Sequence, residues 1–435
     1  MKPSLYAVAA SLYLTEYTLY SNSSSAVLLN SAIADYFGIP FAQASYVGVA
    51  FLAGFCLALL PAGLMLQRHS PTATFFTASA MVAALGVAAS FSPQFWVLIA
   101  IRFLQGVASA VLAPQIFRII RAQFYPDHHA RVLGTWGLVV SASALCSPLI
   151  TAVLNDTWGW RSFPYETVVT TLTAMALMAR APGTTVEHDQ PTGRAAAPVI
   201  GLALLLTAIF LATGLAETVS LKVALCAAAV LLGIGVVAVC RQTARRTGQF
   251  QSILYPSFLV IFLAGIATNV FTLSVVYFVQ QVRGLDSYRS ALFLVPMAFF
   301  AGLIPMLRLG RPGTNRKNTR LIFLGTLCLV AAGLSIALPV LPATAALMGC
   351  AMGFLWSSLA ANVIGNSTHI PFDSSVYHYL RALGAAIGVT VGATMIQGLD
   401  TGMFGAVAAL VAALGLVAAT AAYSAWRTAR LVTTG

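Results

Sequence analysis

Charge is scarce in this 435-residue chain: only 8% of positions carry Asp, Glu, Lys or Arg, against about 25% in an ordinary soluble protein. A soluble fold needs that charge to cover its exterior, so the shortage excludes one and leaves lipid as the surrounding solvent. Lysine is confined to Lys2, Lys222 and Lys317, and no GxxxxGK[ST] stretch occurs, so a primary pump would need a separate ATP-hydrolysing partner. Cys56, Cys146, Cys226, Cys240, Cys328 and Cys350 lie in apolar runs with no CxxC and no metal-ligand spacing, and read as small buried hydrophobes. Asp127-His128-His129 is a lone cluster without further ligands and reads as a solvated loop. His378 has no nucleophile or acid signature around it. Enzyme chemistry, cofactors and metals are therefore not expected.

Present in quantity are apolar residues, 59% of the chain, with a mean hydropathy of +0.88. A crossing helix needs about 20 mostly apolar residues to traverse about 30 Å of hydrocarbon. Cutting at charged and Pro/Gly-rich breaks predicts fourteen spans. Six run about 5–31, 43–66, 73–91, 95–117, 132–154 and 163–179; two about 198–216 and 223–240; six more about 256–281, 288–307, 321–338, 343–365, 374–397 and 403–426. The expected fold is an all-α polytopic membrane protein. Its domains are an N-terminal six-helix bundle (1–180), a cytoplasmic linker (181–197), an inserted transmembrane hairpin (198–241), a basic cytoplasmic linker (242–252) and a C-terminal six-helix bundle (253–435). Lys2 and the apolar run behind it mimic a signal peptide, but Glu16 interrupts the run and more spans follow, so it reads as the first span.

Lys and Arg should collect in alternate, cytoplasmic loops. On that side fall Lys2, Arg68, Arg118, Arg121, Arg131, Arg180, Arg194, Arg241, Arg245, Arg246, Arg308, Arg311, Arg316, Lys317, Arg320, Arg427 and Arg430, whereas the other side holds only Arg161, Lys222, Arg283 and Arg289. The net charge of +12 thus reflects membrane orientation rather than a nucleic-acid partner, and both termini are expected in the cytoplasm. Deleting the central hairpin leaves the alternation intact, so the choice of fourteen over twelve rests on the length and hydrophobicity of 198–240. No internal repeat is legible residue by residue, although an inverted-repeat fold need not show one. Gly384, Gly388 and Gly392 put a smooth stripe on one helix face, for close packing or for sliding.

The first span departs from the rest. Thr15-Glu-Tyr-Thr-Leu-Tyr-Ser-Asn-Ser-Ser-Ser25 is polar almost throughout, which lipid would not tolerate, so it should line a water-filled cavity. Glu16 is the one carboxylate near the middle of a predicted span, about 16 Å along its helix. It fits a proton carrier, a structural carboxylate held by hydroxyls or an arginine, or a contact for a cationic substrate. Arg102, about 10 Å from the outer end of the fourth span, is roughly level with Asn22. Glu16, backbone carbonyls or an anionic substrate group are its candidate partners, in helix pairing or in proton coupling. Arg381, about 9 Å into its span, can snorkel to the inner interface or contact substrate. Glu166, beside Tyr165 near the outer end of the sixth span, reads as interfacial. Candidate substrate contacts are Tyr13, Tyr17, Tyr20, Asn22, Asn269, Tyr277, Gln280 and Arg381, since rings bury apolar area while amides and hydroxyls fix orientation. Any of them can equally be core.

Arg102-Phe-Leu-Gln-Gly106-Val-Ala-Ser-Ala-Val-Leu-Ala-Pro114 resembles the fourth-span signature of drug:proton antiporters in the major facilitator superfamily. Tyr277-Phe-Val-Gln280-Gln-Val-Arg-Gly284 with Pro296, Gly134 to Gly137 with Trp158-Gly-Trp-Arg161, and Arg381-Ala-Leu-Gly384-Ala-Ala-Ile-Gly388 resemble the fourteen-span EmrB/QacA-type branch. The resemblance implies two six-helix bundles around a central cavity, an inserted helix pair, and alternating access driven by the proton gradient. It also implies export of amphipathic small molecules, as in multidrug efflux, from a bacterial inner membrane, with protons as co-substrate and room for an accessory efflux partner. Three positions depart from the pattern. Gln67 stands where the loop between spans two and three usually has an acid, Ser147-Pro148-Leu-Ile-Thr151-Ala152 keeps the proline of the fifth-span signature but none of its glycines, and Asn22 occupies the first-span aspartate position. These departures keep open an importer or facilitator of a specific metabolite, such as a siderophore, in the same fold.

Overall fold

The computed structural model describes residues 3–65, 69–124, 126–180, 254–307, 315–336, 341–366, 370–398 and 403–432, with scattered positions between 201 and 242. Twelve long helices occupy them, labelled here α1 (Pro3–Ser24), α2 (Tyr46–Met65), α3 (Pro71–Ser90), α4 (Phe95–Gln123), α5 (Pro126–Trp158), α6 (Ser162–Met178), α7 (Leu254–Tyr277), α8 (Ser287–Leu307), α9 (Asn315–Ile336), α10 (Leu341–Asn366), α11 (Ile370–Gly398) and α12 (Met403–Val432). All twelve coincide with predicted spans. Among the described residues nine helices are long and apolar enough to cross a membrane, and α1, with its polar second half, is not one of them. The chain is a multi-pass membrane protein, as helices whose backbone groups pair internally are what lipid permits. The linkers 181–197 and 242–252 and the hairpin 198–241 fall largely outside the described residues, as does the Gln67-Arg68 loop; so do the side chains of Asp127, His128 and His129.

The first predicted span needs correction at its end. The helix stops at Ser24, passes through a 3₁₀ turn (Ser25–Leu29) and resumes as a short helix, Asn30–Phe37, closed by Gly38 at φ +65°. Ser and Asn side chains that compete for backbone groups explain the break. Beside it Gly159 adopts φ +75° between α5 and α6, a conformation that residues with a β-carbon rarely take, which accounts for the glycine of Trp158-Gly-Trp. Arg161 then reaches back to the short helix, donating to the Tyr36 hydroxyl at 2.8 Å with its guanidinium over the Tyr36 ring.

Helix contacts divide the described chain into two groups of six with matching internal patterns. In the first, α1 lies against α5 and α6, α3 against α4 and α6, and α2 against α4. In the second, α7 lies against α11 and α12, α9 against α10 and α12, and α8 against α10. The halves meet along α2–α11 and α5–α8, two seams that exchange when the halves are exchanged. A repeat invisible residue by residue is therefore plain in the packing. The closest crossings use glycine. A β-carbon on Gly106 would lie 2.0 Å from the Phe51 carbonyl oxygen, one on Gly54 2.0 Å from that of Phe103, and one on Gly349 2.0 Å from that of Met297. The stripe on α11 packs the same way on α7: β-carbons on Gly384 and Gly388 would lie 2.4 and 2.5 Å from the Phe262 and Ile266 oxygens.

Candidate functional site

Where the two halves face one another, α1, α2, α5, α7, α8, α10 and α11 line a cavity. Tyr20, Ser23, Phe51, Asn269, Trp356 and Arg381 are among its walls, and Tyr20 and Trp356 approach to 6.0 Å between ring centroids. Its lining is mostly apolar, with an amide, hydroxyls and one guanidinium for orientation.

At one edge of this cavity Arg381 crosses between the halves. Its Nη2 donates to Glu16 Oε1 at 3.3 Å, joining α11 to α1 across 365 positions of sequence. The Glu16 side chain is wholly buried whereas that of Arg381 is 17% exposed, so the pair is sealed on the acid side and open on the basic side. Arg381 thus turns inward to an acid rather than snorkelling to the interface. Around the pair cluster further buried polar groups: the Trp136 indole N–H, which faces Glu16, and the Tyr377 hydroxyl and both ring nitrogens of His378, which have no hydrogen-bond partner among the described residues. The His378 ring lies 5.3 Å from that of Phe117 on α4 and 5.4 Å from that of Tyr377. This aromatic contact joins α4 of the first half to α11 of the second.

Arg102 forms a separate cluster. It is buried, donating to Asn22 Oδ1 at 2.7 Å, to the Asn22 carbonyl at 2.6 Å and to Gln105 Oε1, with its guanidinium 4.7 Å from the Phe51 ring. Of its candidate partners, Arg102 meets a backbone carbonyl and not Glu16. Arg102 stands level with Asn22, where the α1 helix offers a neutral amide, so its partners are neutral oxygens. Asn22 in turn donates to Thr167 Oγ1 at 3.0 Å on α6.

Glu166 is the residue that sequence reasoning misplaced. Its neighbour Tyr165 is 46% exposed, but Glu166 itself is only 9% exposed and turns into the bundle. Tyr17 donates to its Oε1, as does Ser21 at 3.2 Å, and Thr151 donates to Oε2 at 3.1 Å. A position near a helix end does not reveal which way a side chain turns; the polar face of α1 was the available signal, since Tyr17 and Ser21 need an acceptor.

The other predicted contacts divide. Tyr20, Asn269 and Arg381 line the cavity; Tyr13 instead donates to the Val132 carbonyl at 3.1 Å inside the first half, and Tyr17 and Asn22 are committed to Glu166 and Arg102. Tyr277 ends α7 and Gln280 sits in the π-helical turn Phe278–Val282 after it, where the Ser31 hydroxyl donates to Gln280 Oε1 at 3.5 Å. Phe51 and Trp356, apolar residues in apolar helices, carried no signal of cavity lining.

Residues 10–389 match the profile of the Major Facilitator Superfamily. The chain is similar to an uncharacterised MFS-type transporter of Mycobacterium tuberculosis, 25% identical over 95% of this chain and 73% of that protein. It is also similar to the methyl viologen resistance protein SmvA of Salmonella typhimurium, 28% identical over 56% of this chain and 51% of that one. Among solved structures the human organic anion transporter MFSD10 (TETRAN) shares the fold, with a TM-score of 0.71 at 15% identity, covering 98% of this chain and all of that one.

Proposed function

We propose, from the premise that this chain belongs to the Major Facilitator Superfamily and is a transporter rather than an enzyme, that it exports amphipathic small molecules against inward proton flow, with the two halves rocking about the cavity. The observation that carries this reading is the buried Glu16–Arg381 pair bridging the halves at the cavity wall. A carboxylate shared between a proton and a guanidinium couples charge to closure: ionised, it holds α11 against α1; protonated, it releases Arg381 and weakens the closed arrangement. Tyr20, Phe51 and Trp356 offer ring faces to a flat apolar substrate, and Asn269 offers a polar anchor. The drug-resistance relatives support small-molecule export, and the fourteen-span EmrB/QacA-type arrangement and an inner-membrane location belong to the same proposal.

The test uses purified full-length protein in vesicles with methyl viologen as first probe. An imposed proton gradient is expected to drive its movement, and Glu16→Gln is expected to abolish the response while passive exchange continues. Gradient-driven transport undiminished in Glu16→Gln would end the proton-carrier role. Uptake or facilitated passage of a metabolite is the second reading, favoured by the exposed side of Arg381, which suits an anionic group. Accumulation of an organic acid, with no movement of methyl viologen, would select it.

A further inference from the structure

The geometry points to Glu166 as a second proton-binding site of this transporter, in a junction of α1, α5 and α6 separate from the Glu16–Arg381 pair. It deepens the proton-coupled reading and rests on it for the role of the site, though not for the titration itself.

The two buried carboxylates are held in opposite ways. Glu16 has a guanidinium, so its negative charge is compensated. Glu166 forms no ion pair among the described residues, and its three partners are the hydroxyls of Tyr17, Ser21 and Thr151. A hydroxyl can donate or accept. The ionised carboxylate is satisfied by three donors; after binding one proton, Glu166 loses its charge, its new O–H donates to one of these oxygens, and that hydroxyl turns its own proton elsewhere. Both charge states therefore keep their hydrogen bonds, and the protonated state strands no cation, as it would beside a guanidinium.

The titratable and charged groups facing the site are few. On α1 there is Tyr17, and on α5 Cys146 lies near the Tyr17 hydroxyl. The sequence of α3, which packs on α6, contains no charged or histidine residue. From α4, Arg102 connects through Asn22 to Thr167, the residue after Glu166. The Glu166 carboxylate makes no hydrogen bond to that cluster; the two are neighbours through the backbones of α1 and α6, where Ser21 precedes Asn22 and Glu166 precedes Thr167. The partners also lie on cavity-lining helices: Tyr17 and Ser21 flank Tyr20 on α1, and Thr151 follows Pro148 on α5 by one turn. Rearranged hydrogen bonds at Glu166 reach the cavity through those two helices.

Infrared difference spectra of the purified full chain, recorded across a pH titration, test the site by its protonated-carboxyl C=O band. Glu166→Gln is expected to remove one component of that band, and Glu16→Gln to leave that component in place. An unchanged band in Glu166→Gln overturns the proposal. Should Glu166→Gln fail to fold, Thr151→Val keeps the carboxyl and deletes one donor, and is expected to change its proton affinity by about tenfold; an unmoved midpoint then overturns it. In vesicles, Glu166→Gln is expected to cut gradient-driven methyl viologen movement about tenfold or more. Undiminished driving in that variant, with a responsive parent, removes the coupling role of Glu166. A parent indifferent to the gradient instead removes the proton-coupled reading, while the infrared result still decides whether Glu166 binds a proton.

Discussion

Glu16 and Arg381 stand or fall together. Removing one member of a buried pair strands the other charge, whereas removing both leaves a neutral contact, and the first change destabilises by about 3–5 kcal/mol in comparable settings. Arg381→Gln is therefore expected to lower the unfolding temperature in detergent more than the double variant Glu16→Gln/Arg381→Gln, read by a thermal melt. Equal melts for the two would show that solvent on the open side of Arg381 already screens the pair. Arg102 is a different case, because the forked guanidinium spans Asn22 and Gln105 at once and lysine cannot. Arg102→Lys is expected to destabilise the first half by about 2 kcal/mol through lost and unsatisfied hydrogen bonds. Of these residues, the polarity of Glu16 and the depth of Arg102 were legible beforehand, since hydropathy and a rise of about 1.5 Å per residue give depth. Azimuth was not legible. Neither the inward turn of Glu166 nor the partner of Arg381 follows from depth.

Helices here are held by close approach as well as by apolar area, because lipid tails are as apolar as leucine and give packing no hydrophobic advantage. Gly388 shows the consequence. A β-carbon there would meet the Ile266 oxygen at 2.5 Å and the Asn269 β-carbon at 2.9 Å, forcing α11 away from α7. Gly388→Ala is expected to destabilise by about 1–3 kcal/mol and to disturb the cavity through Asn269. Gly405, on α12, has no atom of another described element within 4 Å of its hypothetical β-carbon, and Gly405→Ala is expected to be neutral or slightly stabilising, since alanine is the better helix former. Thermal melts of the two variants compare them directly. The spacing of Gly384, Gly388 and Gly392 announced a smooth face, but not that α7 covers it.

At the scale of the molecule, the halves are joined by α2–α11 and α5–α8, with the Phe117–His378 contact between α4 and α11. If alternating access opens this contact, tying α4 to α11 should stop transport. A Phe117→Cys/His378→Cys pair, joined by a short thiol cross-linker in a background without the native cysteines, is expected to abolish methyl viologen movement reversibly on cleavage. Full transport with complete cross-linking would show that the contact stays shut throughout the cycle. Such a contact is not written locally. The amino-acid sequence by itself determined that the chain spans lipid many times, where twelve of its long helices run, and that the first carries the polar stretch Thr15–Ser25. Those properties follow from the free energy of moving each side chain from water to hydrocarbon, which depends on residue type and local order alone. The tertiary structure decided which halves pair, that Arg381 meets Glu16 and that Glu166 faces inward. Those follow from the rotation of each helix about its axis, and in helices apolar on nearly every side only packing against neighbours sets that rotation.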